Sequence, residues 1–183
     1  MELNKGIFLI ASPLIQTGIF ARSVILLCEN DSTGTLGIIV NRPVDIKLPT
    51  KLLDLGSVTA PHMRVLSGGP VQTNQLMLLH MCKDIPEQTM PIAPGVFLGG
   101  DLEFLRNCTQ SKKPMPMCLC FGYAGWKPGQ LAQELLDGSW YTVKATARHL
   151  FFEDPLQLWR LLLREKGGRY ASVSMIPEDL SWN

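Results

Sequence analysis

Short apolar runs broken by clusters of Gly, Pro, Asn, Asp and Ser recur along the chain, a pattern that predicts many short strands. "GIFLIA" (6–11) reads as a strand ended by Pro13, and "RSVILLCE" (22–29) as a longer one. "NDSTG" (30–34) is dense in turn formers, and "TLGIIVN" (35–41) runs back until Arg42-Pro43 stops it. Two apolar runs around a polar turn predict a β-hairpin. A short helix is expected over Pro49–Leu55, closed by Gly56, followed by strands in "RVLSGGP" (64–70), "QLMLLHMC" (75–82) and "GVFLG" (95–99). The Pro-rich stretch between the last two reads as a loop. Asp101 can cap a helix to about Thr109, and "PMCLCFGY" (116–123) reads as a buried strand.

In "CFGYAGWKPGQLAQELLDGSW" (120–140), glycines crowd around Tyr123 and Trp126 and a helix follows. Pro128 suits its first turn, Leu131, Leu135 and Leu136 give it an apolar side, and Gly138 can end it left-handed. "WYTVKA" (140–145) is a further strand. Asp154-Pro155 starts a terminal helix, packed by Leu156, Trp159, Leu162 and Leu163 as far as Gly167-Gly168. From Ala171 onward the tail is weakly patterned. Strands outnumber helices without regular alternation, and no repeat or linker divides residues 1–183. The expectation is one α+β domain.

Composition narrows the function classes. With 17 Lys and Arg against 16 Asp and Glu, the net charge is +1, which leaves no electrostatic footprint for nucleic acid. Arg160, Arg164, Lys166 and Arg169 read as the solvated face of the terminal helix. No apolar run approaches the ~18 residues of a membrane span, and the N-terminal run is shorter than a ~7–15-residue signal-peptide core. A cytoplasmic protein is expected. Cys28, Cys82, Cys108, Cys118 and Cys120 lack a disulfide-scaffold spacing and read as free, mostly buried thiols.

The glycine-rich stretch fails three familiar chemistries. A P-loop needs Lys and a hydroxyl directly after its last Gly, but Gln130 and Leu131 follow Gly129. A nucleophile elbow needs Ser at its apex, and "GYAGW" offers Tyr123 and Ala124. The dinucleotide spacing G-x-G-x-x-G is absent. What remains is a tight corner beside a helix start, whose free N–H groups could hold an anion or carboxylate; alternatively the glycines only turn the chain and the rings fill the core. Among other groups, His62, His80 and His149 have no metal-pair spacing. Cys118 and Cys120 face one side of a strand without a second ligand pair. No metal, cofactor or catalytic residue is expected.

One geometrical expectation concerns the hairpin. Arg22 and Ser23 lie at the end away from its turn, and Asn41 and Arg42 close the partner strand there. Two neighbouring Arg repel unless an acid or anion joins them. A carboxylate such as Glu29 or Glu134 is one way to satisfy them, and a ligand anion is the other. Gln130 and Glu134 are one helical turn apart, so the arginines, Asn41 and the "GYAGW" turn could share one polar cleft.

"GIFLIASP", "FARSVILLCE", "GTLGIIVNRP", "SGGPV" with "LLH", "GYAGWKPGQLAQE" and "SWYTV" occur in the order found in the YqgE/AlgH family of bacterial proteins, which this chain resembles from about Gly6 to Leu163. The resemblance implies a highly curved, bifurcated, mainly antiparallel sheet forming a pseudo-barrel with helices packed outside. The matching motif positions are Arg22, Ser23, Asn41, Arg42, Gly68, Gly69, Pro70, Gly122, Tyr123, Gly125, Trp126, Gln130 and Glu134. Asn30 stands where the family often has His, and Ala132 where it often has an acid, so no mechanism can rest on titration at those positions. One branch of the family carries a name linked to regulation of alginate synthesis, and hence to transcription. With no helix-turn-helix, zinc ligand set or basic groove, any such effect would pass through a partner or ligand.

The expected function is a non-catalytic binding or regulatory module for a protein or a small anionic ligand. The competing expectation is an enzyme on a phosphorylated or carboxylated metabolite, with Glu134 as base and Arg22 or Arg42 as oxyanion stabiliser.

Overall fold

The computed structural model describes residues 3–45, 63–83, 86–111, 113 and 115–177. The expected helix over 49–55 and His62 lie outside these. Among these residues nine strands form one curled sheet: β1 (Ile7–Ala11), β2 (Val24–Asp31), β3 (Gly34–Ile39), β4 (Met63–Ser67), β5 (Val71–His80), β6 (Met90–Ala93), β7 (Val96–Leu98), β8 (Met117–Trp126) and β9 (Trp140–Lys144). Among the described residues five helices accompany them: α1 (Leu102–Gln110), α2 (Gln130–Leu136), α3 (Ala147–Phe151), α4 (Pro155–Lys166) and α5 (Arg169–Val173). None of the described helices is long and apolar enough to cross a membrane.

The strand order is β6-β7-β5-β8-β3-β2-β1-β9, with β4 pairing β8 in parallel and the other pairs antiparallel. The result is the α+β half-barrel that the resemblance implies. β8 splits the sheet. Its first half lies between β4 and β5, with Met117–Phe121 paired to Met63–Ser67, while Ala124, Gly125 and Trp126 pair with Gly37, Leu36 and Thr35 of β3.

Three apolar clusters hold the fold. The inner one joins Phe8, Leu26, Ile38, Leu79, Cys118 and Cys120 to Leu150 of α3 and to Leu158, Trp159, Leu162 and Leu163 of α4. A second covers the other face of β1–β3: Leu9, Ile25, Ile39, Ala124, Trp126 and Trp140 lie under Leu131 and Leu135 of α2. A third packs Phe104, Leu105 and Cys108 of α1 on Leu78, Met117 and Leu119. Because β1 is covered on both faces, all five of its residues are buried, and its sequence is a continuous apolar run rather than an alternation.

Residues 118 and 120 face inward, yet 124 and 126, of the same parity, face outward under α2. The pleat is reset at Gly122, whose φ is 73°. There the connection from β4 to β5 passes across β8, backbone on backbone. A Cβ on Gly122 would sit 2.4 Å from the Gly69 carbonyl oxygen, and one on Gly69 would sit 2.1 Å from the Tyr123 carbonyl carbon. "SGGP" and "FGY" are two sides of one crossing.

Two segments project beyond the core. The last three residues of β2 are exposed, and so are the first five of β5. The hairpin turn is tighter than expected: the strands continue to Asp31 and Gly34, and the Asp31 carboxylate accepts from the Thr33 amide at 2.7 Å and its hydroxyl at 2.6 Å. These bonds hold that carboxyl below its usual range. β6 falls in the stretch read as a Pro-rich loop. Likewise α3 and α5 occupy stretches too short and polar to show a helical period.

His80 is fully buried between Phe97 and Phe104, its Nδ1 accepting from the Cys82 amide at 3.2 Å. Burial lowers its pKa to about 4. The folded state therefore prefers neutral imidazole, while the unfolded chain takes a proton near pH 6.5. Stability contributed by this site is full above about pH 6.5 and is lost as the pH falls towards about 4. Denaturation midpoints across that window should decline, and His80→Gln should flatten the decline. An equally steep profile in that variant would assign the effect elsewhere.

Candidate functional site

The expected meeting of strand ends is present. The Asn41 side chain accepts from the Val24 amide at 2.7 Å and donates to the Arg22 carbonyl at 2.9 Å, so it stitches β2 to the segment after β3. Arg42 donates to the Ala21 carbonyl. Ser23 is fully buried; its hydroxyl has no hydrogen-bond partner among the described residues.

Arg22 has a positive φ of 54°, a conformation rare for a residue with a side chain. Its guanidinium lies 4.8 Å from the Trp159 ring centroid and donates to the carbonyls of Ile176, at 2.8 Å, and Pro177. Arg160 reaches the same segment through the Ser174 carbonyl at 3.2 Å. The arginine end of the hairpin thus binds the C-terminal segment of its own chain.

Glu134 does not bridge the arginines. One carboxylate oxygen accepts from the indole N–H of Trp126 at 2.9 Å and of Trp140 at 2.7 Å, and the other accepts from Gln130 at 2.9 Å. The two indoles meet edge to face, with centroids 6.2 Å apart. Gln130 and Glu134 do share a face of α2, as their spacing requires.

The single polar cleft is therefore a correction. Trp126, Trp140 and Glu134 belong to the face covered by α2, whereas the Arg22 guanidinium lies against Trp159 on the face covered by α4. Along β3, Trp126 pairs with Thr35, six residues before Asn41, or ~20 Å at ~3.3 Å per residue. The strand ends and "GYAGW" are at opposite ends of the hairpin.

"GYAGW" is also not a corner. It is the last part of β8, and the turn comes at Lys127–Gly129, with Gly129 left-handed at φ 78° before α2. Pro128 precedes the helix instead of opening it. Because α2 has only seven residues, and Gln130 turns its side chain back to the Lys127 amide at 3.1 Å, the helix start offers no anion site.

What the structure does offer is a groove of about 390 Å³ between the two projecting segments. Glu29, Asp31 and Thr33 of the hairpin form one wall, Val71 of β5 the other, and Tyr123, Gly125 and Lys127 lie between them. Of the residues singled out from sequence, Tyr123, Gly125 and Trp126 border it. Gly68, Gly69 and Gly122 serve the chain crossing. Glu29 was singled out only as a partner for the arginines and lies instead in this groove; Asp31, Thr33, Val71 and Lys127 were not singled out, because acids and hydroxyls at a hairpin tip look like any turn, and the five-residue exposed start of β5 carries no sequence signal.

A second cluster lies on α3 and α4. His149 Nε2 is 2.8 Å from Glu165, Arg148 pairs with Glu165 and with Glu153 at 2.6 Å, and the Thr146 hydroxyl is 2.9 Å from His149 Nδ1. Partial burial raises the Glu165 carboxyl, but the His149 and Arg148 hydrogen bonds outweigh it and leave the group below its ordinary range. Thr146 also caps α3, so the cluster fastens α3 to α4. Among the described residues no group of three His, Cys, Asp or Glu side chains is placed to hold a metal ion.

A family model described as AlgH-like matches residues 8–171. The chain is 46% identical to the UPF0301 protein CF0373 of Chlamydia felis, over 99% of this chain and 96% of that one. It is 38% identical to a UPF0301 protein of Chlorobium luteolum, over 97% and 93%. The solution structure of the AlgH protein from Pseudomonas aeruginosa superposes with a TM-score of 0.73 at 26% identity, covering 97% of this chain and 98% of that one. The crystal structure of DIP2367 from Corynebacterium diphtheriae shares the fold, with a TM-score of 0.74 at 23% identity over 96% and 94% of the two chains.

Proposed function

The chain belongs to the AlgH-like family, and from that premise we propose that it is a non-catalytic recognition module whose partner is a protein, held in the groove between the β2–β3 hairpin tip and the start of β5. The observation that carries this reading is the coincidence of three features in one place. β5 pairs with β8 at Val71 and then only from Leu76, and β7 pairs with β5 only at Leu79 and His80, so residues 72–75 pair with no strand among the described residues on either side. An unpaired edge suits an added strand. Beside it, Val71, Leu36 and the Tyr123 ring give apolar contact, and the Glu29 and Asp31 carboxylates, against the one cation among the described lining residues, Lys127, leave the groove net negative. The partner is an extended segment bearing Lys or Arg.

The same charges disfavour a small anionic ligand in this groove, and the signature arginines already bind backbone carbonyls. The enzyme reading loses its base, because both Glu134 oxygens accept hydrogen bonds within the fold. An effect on transcription would pass through the bound partner.

A photo-crosslinking residue placed at Thr33 or Tyr123 tests the proposal in cells, with Leu136, exposed on α2, as the control position. A defined protein should be captured from the first two positions and not from the third. Glu29→Lys should lower its affinity about tenfold, since like charges placed across an interface oppose binding, without shifting the melting temperature. Equal capture from Leu136, or capture indifferent to charge reversal, would contradict it.

A further inference from the structure

Cys82 follows β5 and Cys108 lies near the end of α1, yet their sulfurs are 3.5 Å apart, nearly in contact and unbonded. Both ends of this approach are fixed. The His80 ring, clamped between Phe97 and Phe104, accepts the Cys82 amide and holds the chain where it leaves β5. Phe104 and Cys108 are four residues apart, so they project from the same side of α1, and both pack on the third apolar cluster. Both cysteines are half-buried, whereas Cys28, Cys118 and Cys120 are fully buried in the inner cluster. No third ligand completes a metal site around the pair among the described residues.

We propose that Cys82 and Cys108 are a dithiol modification site that closes reversibly to an intramolecular disulfide, with a low-molecular-weight disulfide as oxidant. The Cys82 thiolate attacks one sulfur of the oxidant, forming a mixed disulfide and expelling one thiolate. Cys108 then attacks the Cys82 sulfur, and its proton leaves with the second released thiol. Two protein thiols are oxidised and one external disulfide is reduced to two thiols. Burial, then the hydrogen bond and charge of Cys82, raise the Cys108 pKa to about 12, so Cys108 does not begin the exchange; its sulfur, 3.5 Å from that of Cys82, is placed for the second, intramolecular step. Cys28, Cys118 and Cys120 are fully buried in the inner cluster, out of reach of an external disulfide, so those three remain spectators. The bond would tie α1 to the end of β5 and close the loop that carries β6 and β7.

The test uses the full chain, reduced and then exposed to oxidised glutathione. Peptide mapping without reductant should find the 82–108 link and three remaining thiols. The melting temperature should rise by several degrees, as for a cross-link that closes a loop, and dithiothreitol should reverse both changes. Cys108→Ser should instead accumulate glutathione on Cys82 with no such rise. Five thiols remaining free, glutathione on both cysteines of the unsubstituted chain, or a link to any other cysteine would overturn the proposal. The double variant Cys82→Ser/Cys108→Ser, melting like the reduced protein, separates loss of the bond from loss of the fold.

Discussion

Alanine at Gly122 or at Gly69 should destabilise the protein by about 2–5 kcal/mol. Two costs add. A side chain forced into a close-packed site costs ~1–3 kcal/mol, and here the obstacle is backbone. The Gly122 Cβ would meet the Gly69 oxygen at 2.4 Å and the Val71 oxygen at 2.9 Å, and the Gly69 Cβ would meet the Tyr123 carbonyl and the Ala124 amide within 2.5 Å. Neither can rotate aside as a side chain could. The left-handed region adds ~1–2 kcal/mol for a residue with a Cβ, and Gly122 sits in it at φ 73°. Gly129 separates the terms: its φ is 78°, but an added Cβ meets nothing within 4 Å, so Gly129→Ala should show the backbone cost alone. Urea midpoints of the three variants measure the difference. If Gly122→Ala lost no more than Gly129→Ala, the crossing would be looser than described.

Glu134→Ala should be nearly as damaging, at about 2–4 kcal/mol. The Trp126 and Trp140 side chains are 7% and 5% exposed, and both indole N–H groups would lose their acceptor. A hydrogen bond to a charged group contributes ~1.5–3 kcal/mol; the half-buried position of Glu134 lets water recover part of that. Glu134→Gln keeps one oxygen able to accept from both indoles and should cost about 1 kcal/mol. Chemical denaturation gives the energies, and tryptophan emission reports the same event, shifting to longer wavelength in the Ala variant as water reaches the rings. Glu134→Ala with wild-type stability and emission would mean that the carboxylate is not what orders the indole pair.

Much of the fold was legible because the relevant physics is local. The β2–β3 hairpin, the Asp101 and Asp154 caps, Pro155 at the start of α4 and left-handed Gly138 after α2 each follow from residues adjacent in the chain. The site was harder to read because its features depend on distant pairings. "GYAGW" looks like a corner by composition, since glycines there signal a turn when read alone; the need for Gly122 arises from Gly69 and Val71, some fifty positions earlier. Arg22 and Trp126 were expected together because two neighbouring arginines call for an acid or anion that Glu134 or the helix start after "GYAGW" could supply, but the faces they occupy follow from the covering helices α2 and α4. Glu134 was paired on paper with the nearest cations, and its real partners are two neutral indole donors that no charge count reveals. The Cys82–Cys108 approach has no sequence spacing at all, because it joins a strand end to a helix.

The central claim is that "GYAGW" and Glu134 are parts of the fold's frame and not an anion-binding corner. Amide and indole hydrogen exchange, followed by two-dimensional nitrogen–proton NMR with and without inorganic phosphate and citrate, tests it most directly. Slow exchange is predicted for backbone amides of 122–126 that face β3 and for the indole N–H groups of Trp126 and Trp140, with no saturable shift of these signals on adding either anion. Rapid exchange throughout that segment, or saturable movement of the two indole signals with phosphate or citrate, would contradict the account.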